Sequence, residues 1–145
     1  MNKRNILKKA AGWTVYIAIL ALAILFIPKG LSFALETPYP MAAITSGSMW
    51  PTLREGDLVF IKGIDGKEDI KVGDIIIFEN TQGFTIHRVV KMGDEQLVTK
   101  GDANNSSDPL IHYSEVIGKT LNFNDKPFRI PRLGLVSILL NKGEI

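Results

Sequence analysis

The chain has 145 residues, 46% of them hydrophobic and 22% charged, which suits one folded domain with a core and excludes a disordered tract. The formal charge of +2 is unevenly placed: Lys3, Arg4, Lys8 and Lys9 crowd the first nine residues, and the remainder holds 13 basic against 15 acidic residues, so no basic stripe marks a nucleic-acid binder. The absence of cysteine excludes disulfides, thiol nucleophiles and cysteine-ligated metals.

Ala10 to Ile27 is an uncharged run of 18 residues. As a helix it spans roughly 27 Å, close to the thickness of a bilayer's hydrocarbon core. Trp13 and Tyr16 stand near its start, where amphipathic rings favour the interface. The basic residues before it predict a cytoplasmic segment over 1–9, a transmembrane anchor over 10–27 and an extracytoplasmic remainder. A cleaved signal peptide shares the basic start and apolar centre, but its apolar part is shorter. The nearest small-x-small site, Ser32-Phe33-Ala34, lies beyond the Pro28-Lys29-Gly30 break. A buried core helix is the other reading; length and flanks favour an uncleaved, single-pass anchor in the cell membrane.

Residues 28–40, rich in Pro and Gly, read as a linker, and 41–145 as the second domain. Met41–Thr45 is a short apolar run leading into Ser46-Gly47-Ser48. Asp57–Lys62 and Asp74–Glu79 are β-branched or aromatic runs, each opened by Gly-Asp. Phe84–Met92 and Gln96–Lys100 flank Gly93-Asp94-Glu95 as a hairpin. Residues 101–109 are loop by composition, and Glu115–Phe123 is one more strand. Short strands with turn signals predict a compact, mainly β domain behind one N-terminal transmembrane helix. The apolar tail Ile130–Leu140 is too short to span a bilayer; it packs as a strand or helix at the core edge, or dips into the membrane surface.

A lone Ser-Gly-Ser is most often a surface turn. Here a strand runs directly into it, and Met49 and Pro51 follow. Gly47 can adopt strained angles or allow close backbone approach, and Pro51 sets the exit direction. This layout presents the Ser48 hydroxyl, a weak nucleophile until a base takes its proton. Of the two histidines, His87 sits inside the β run Thr85–Val89 and His112 lies past a loop; an isolated strand histidine is more often structural. Lys100 and Lys62, at strand ends, are alternative bases. A histidine base needs a carboxylate to orient it, and the loop from Gly101 offers Asp102 and Asp108. That loop lacks the acidic pattern of a calcium-binding EF-hand, so no metal and no cofactor are expected.

Ser46-Gly47-Ser48-Met49-Trp50-Pro51, Arg54–Val59, Val72–Ile75, His87-Arg88-Val89 and Thr99–Asn104, in this order, resemble the motif boxes of type I signal peptidases. The branch is the Ser-His one, found in archaea, the endoplasmic reticulum and some spore-forming bacteria (peptidase family S26). The resemblance covers about residues 10–141. It implies a membrane-bound serine endopeptidase that removes signal peptides after small residues, on a mostly β domain resting at the membrane surface. Ser48 then matches the nucleophile, His87 the general base and Asp108 the residue that orients it. Asp102 matches a second, supporting acid, and Ser46 a hydroxyl that joins the Ser48 N–H in binding the oxyanion. Met41, Ala43 and Thr45 would bind an extended substrate as an added strand. Partners implied are signal-peptide-bearing precursors, the lipid bilayer and the translocation machinery, with no nucleic acid. The sequence departs from the branch at Trp50 and at Asp108-Pro109, where relatives often carry acids, so either aspartate could face His87. No second span is expected after Leu140. A Ser-Lys protease using Lys100 is one alternative, and a silent tethered β module binding export components is another. A soluble self-cleaving repressor protease of similar fold fits the anchor poorly.

Overall fold

The computed structural model describes residues 3–81 and 83–141, and the chain divides into two units, 1–34 and 35–145. The first unit is a single helix, α1 (Lys3–Ala34). Its Gly12–Ala34 stretch is long and apolar enough to cross a membrane, and its side chains are uncovered. Trp13 and Tyr16 meet edge to face, with ring centroids 6.2 Å apart. The helix runs through Pro28, where a linker was expected, and stops only after Ala34. Proline removes one hydrogen bond, a loss that apolar membrane helices tolerate.

The second unit is mainly β, as expected. Its strands are β1 (Met41–Ala43), β2 (Leu58–Gly63), β3 (Ile75–Asn80), β4 (Gly83–Met92), β5 (Gln96–Lys100) and β6 (Ile111–His112), followed by β7 (Val116–Thr120), β8 (Asn122–Phe123), β9 (Lys126–Pro127) and β10 (Arg129–Ile130). Among the described residues the main sheet runs β1-β2-β7-β3-β4-β5-β6, with β10 also on β2, and every pairing is antiparallel. The apolar tail becomes a short helix, α2 (Gly134–Asn141). The strand expected to reach Phe123 breaks at Leu121, and Asn122–Phe123 pairs instead with Lys126–Pro127 in the β8–β9 hairpin, whose turn holds Asn124 and Asp125 at positive φ (50° and 59°).

The two Gly-Asp signals have one physical cause. In each, the aspartate N–H closes a turn onto the carbonyl three residues back, Arg54 or Lys71, and its carboxylate accepts the N–H of that same residue. Gly56 and Gly73 supply positive φ (86° and 99°). Both carboxylates are buried and each meets a distant cation: Asp57 takes Arg129 Nη1 at 2.6 Å and Asp74 takes Lys119 Nζ at 3.3 Å.

Strand β3 is buried on both faces, which explains its unbroken apolar run. Ile75 and Ile77 join one core cluster with Met49, Leu53, Val59 and Ile61. Ile76 and Phe78 face a second cluster with Val89, Leu97 and Val116. His87 and Val89 of β4 point to the second side and Ile86 to the first. Ile77→Ala is expected to destabilise the fold by about 2–5 kcal/mol, because both sides of the strand are packed and the cavity cannot collapse. Thermal unfolding of the detergent-solubilised full chain measures this, and an unchanged Tm would contradict the double-core packing.

Candidate active site

Three segments meet at the site. Ser48 follows β1 in a turn closed by Trp50 N–H to the Gly47 carbonyl (3.0 Å) and by Leu53 N–H to the Met49 carbonyl (2.9 Å). Met49 and Leu53 are almost wholly buried and root this turn in the first core, so the hydroxyl between strand and turn is held while Trp50 stays exposed. His87 comes from β4 and is 7% exposed, beside the Phe78 ring. Asp108 ends the loop that leaves β5, and Asp102 lies near that loop's start.

His87 Nε2 lies 3.1 Å from Ser48 Oγ, and His87 Nδ1 lies 2.6 Å from Asp108 Oδ2. An ionised carboxylate can only accept, so Nδ1 carries the proton and donates it to Asp108. In a neutral imidazole Nε2 is then the acceptor for the Ser48 hydroxyl. Ser46 Oγ is 3.1 Å from Ser48 Oγ. Among the described residues no carbonyl accepts the Ser48 N–H. Thus Ser46, Ser48, His87 and Asp108 come together in one hydrogen-bonded row.

Asp102 stands apart from that row. Its carboxylate accepts Arg88 Nε at 2.8 Å, Arg88 Nη2 at 2.6 Å and the Thr52 hydroxyl at 2.5 Å. Arg88 Nη1 also donates to the Gly73 carbonyl at 2.8 Å. This clamp joins the serine turn, β4, the 101–109 loop and the 71–74 turn. Burial by itself raises the Asp102 carboxyl, but the hydrogen bonds from Arg88 and Thr52 and the Arg88 charge outweigh it and hold the pKa below the usual value. The same bond pushes the Arg88 guanidinium up. The sequence marks Asp102 but not its partners: Arg88 stands in a motif with no role of its own assigned to it, and Thr52 carries no local signal.

The glycine that matters is also different. Gly47 has no positive φ, and nothing lies within 4 Å of a Cβ placed there. A Cβ on Gly101 would sit 2.7 Å from the Ser48 carbonyl oxygen. That carbonyl accepts the Ala103 N–H at 2.8 Å, so the 101–109 loop is laid directly on the Ser48 backbone. The other candidate bases take no part in this hydrogen-bonded row. Among the described residues Lys100 Nζ bonds neither Ser48 nor His87, and Lys62 lies on β2. His112 lies on β6, its ring on the Gln96 amide.

A groove of about 680 Å³ leads to Ser48. Met41, Ala43 and Thr45 line it, together with Tyr39, Phe84, Ile86, Asn104, Ser137 and Ile138. On one side β1 is paired only with β2. On the other, β4 pairs with β5 only from Arg88 onward, so Phe84–His87 also has an open edge. The groove therefore offers backbone donors and acceptors along apolar walls. Sequence reasoning missed the β4 edge and the α2 wall, because neither has a local signature. Among the described residues no cluster of three or more ligating side chains could hold a metal ion.

The family profile described as Peptidase S24-like matches residues 21–120. This chain belongs to that peptidase family. It is 33% identical over 150 residues to the signal peptidase complex catalytic subunit sec11 of Sclerotinia sclerotiorum, covering 93% of this chain and 83% of that protein. It is 30% identical over 157 residues to the signal peptidase complex catalytic subunit SEC11C of Homo sapiens, covering 97% and 76%. The subunit SEC11 of Colletotrichum graminicola matches at 30% over 93% of this chain and 83% of its own. These similarities extend beyond the 21–120 core into the N-terminal helix and the tail, so this peptidase aligns with its relatives through almost its whole length.

Two outcomes are expected. Gly101→Ala should lower cleavage at least tenfold, since the loop must lift from the Ser48 carbonyl; near-native turnover would show that the close approach is dispensable. Asp102→Asn should lower Tm at pH 7. The folded pKa of Asp102 lies below the unfolded aspartate value of about 3.9. Its contribution is therefore complete above that pH and is lost as pH falls through the folded value. The Tm gap between wild type and variant should close below about pH 4, and a gap independent of pH would contradict the ion pair.

Proposed function

We propose that this peptidase is a membrane-anchored serine endopeptidase that removes N-terminal signal peptides from exported proteins, with Ser48 as nucleophile, His87 as general base and Asp108 as the carboxylate that orients it. The observation that carries the reading is the continuous row Ser48 Oγ–His87 Nε2 and His87 Nδ1–Asp108 Oδ2, at 3.1 and 2.6 Å, standing at the end of a groove with two open strand edges. The relatives' names supply the substrate class.

In this mechanism Ser48 Oγ attacks the scissile carbonyl carbon while its proton passes to His87 Nε2. The carbonyl oxygen becomes an oxyanion, held by the Ser48 N–H and by the Ser46 hydroxyl turned from Ser48 Oγ; one such donor contributes about 2.7–4 kcal/mol in a well-studied case. Asp108 stabilises the imidazolium. The imidazolium then gives its proton to the leaving amine, the C–N bond breaks and an acyl-enzyme forms. A water, deprotonated by His87, releases the signal peptide's new carboxylate and restores Ser48.

The substrate adds as an extended strand between Met41–Thr45 and Phe84–Ile86, with its backbone read by both edges and its side chains by the groove walls. Ala42 and Ala43 beside the serine turn leave room for small side chains. Helix α1 anchors the enzyme in the bilayer that holds its substrates, and so raises their effective concentration. Its basic start places residues 1–9 in the cytoplasm and the protease domain on the far side, in the cell membrane. The relatives' names, as catalytic subunits of a signal peptidase complex, support partner subunits for this chain; the translocation machinery is proposed as a further partner because it delivers the precursors.

A cleavage assay with the full chain in membranes and a secretory precursor tests this. Ser48→Ala should abolish product, His87→Ala should lower turnover by about 10⁴-fold or more, and Lys100→Met should leave it largely intact. Normal cleavage by Ser48→Ala would end the reading. Activity kept in His87→Ala but lost in Lys100→Met would transfer the base role to lysine.

A further inference from the structure

The row of groups at the site ends on a carboxylate that sits on an exposed loop, and the structure gives that carboxylate a second holder. Asp108 follows the exposed residues Ser106 and Ser107 and precedes the exposed Pro109. Left alone, an aspartate in such a place would sample several χ1 rotamers, and only some would face His87. Thr99, on β5, meets Asp108 twice. The Asp108 N–H donates to the Thr99 carbonyl at 2.8 Å, and the Thr99 hydroxyl donates to Asp108 Oδ2 at 2.6 Å. The second bond falls on the same oxygen that accepts His87 Nδ1. Thr99 is 0% exposed, so its hydroxyl has no water to turn to. Pro109 adds a third restraint, because the residue before a proline is confined to extended backbone.

We propose that Thr99 is the positioning residue of this site: gripping Asp108 through main chain and hydroxyl together, it holds Oδ2 on the Nδ1 side of His87. It touches neither Ser48 nor the groove, and acts only through Asp108. Its methyl group is secondary, and its hydroxyl is the active part. A buried hydroxyl with one acceptor must point at it, so the bond is lost only by removing the donor or the carboxylate. The inference rests on the Ser48-His87-Asp108 reading.

The test uses the full chain in membranes with a secretory precursor, and measures kcat and KM separately. Thr99→Val keeps the shape and removes the donor. It should lower kcat by about 10- to 100-fold with KM within twofold, the range expected for one hydrogen bond to a charged group. Thr99→Ser, which keeps the donor, should stay within about threefold of wild type. In an Asp108→Ala background, which has no side-chain acceptor and itself cleaves slowly, Thr99→Val should cost little more. A wild-type rate in Thr99→Val overturns the proposal. So does an equal loss in Thr99→Ser and Thr99→Val, or a full additional loss on top of Asp108→Ala, since each points to packing rather than to a held carboxylate. Should Thr99→Val not accumulate as folded protein, Thr99→Cys, of similar volume and weak as a donor, stands in for it with the same outcomes. Failure of the underlying reading looks different: there wild type does not cleave, or Ser48→Ala does.

Discussion

An imidazole between a hydroxyl and a carboxylate has one useful orientation, and the bond from His87 Nδ1 to Asp108 Oδ2 selects it. The carboxylate cannot donate, so it fixes which ring nitrogen carries the proton and leaves the other to face Ser48. The remainder of the site holds these three side chains at that spacing. Two core residues root the serine turn, a central strand carries the histidine, and a loop laid on the Ser48 carbonyl brings the acid back. A buried imidazole without partners would cost free energy; here both nitrogens are engaged, so burial and chemistry are compatible.

The alternation of β4 separates two tasks. His87 and Arg88 are neighbours in sequence and point to opposite sides of the strand. One side meets the serine and the acid. The other locks Asp102, Thr52 and the Gly73 carbonyl into a clamp. Thus the two aspartates of one loop divide the work: Asp102 ties segments together through a charged pair, and Asp108 faces the imidazole. The bidentate geometry at Asp102 explains why its carboxyl stays ionised despite burial.

The open edges of β1 and β4 follow from strand lengths. β1 has no neighbour beyond β2, and β5 begins pairing only at Arg88. Unpaired edges are normally a liability. Here they border the groove that leads to Ser48, and α2 closes one of its walls through Ser137 and Ile138. Leu135 of that helix packs on Gly56, whose positive φ and lack of a side chain leave the space.

The strands were legible in the sequence because β-branched runs and Gly-Asp turns are local signals, and the apolar helix because its length and lack of charge are. Ser48 and His87 were singled out by the resemblance of several motifs in a fixed order, whereas their near neighbours by themselves read as a surface turn and a structural strand histidine. The choice between Asp102 and Asp108 was not. Both sit in one polar loop, and their roles depend on Arg88, Thr52 and Thr99, which reach them only after β4 and β5 pair. Gly47 drew attention by its place in a motif, whereas the glycine under steric demand, Gly101, is revealed by a backbone contact 53 positions away in the chain. Local chemistry determined which groups were available; long-range pairing decided which of them meet, since hydrogen bonds act over about 3 Å and only the folded sheet brings distant residues that close.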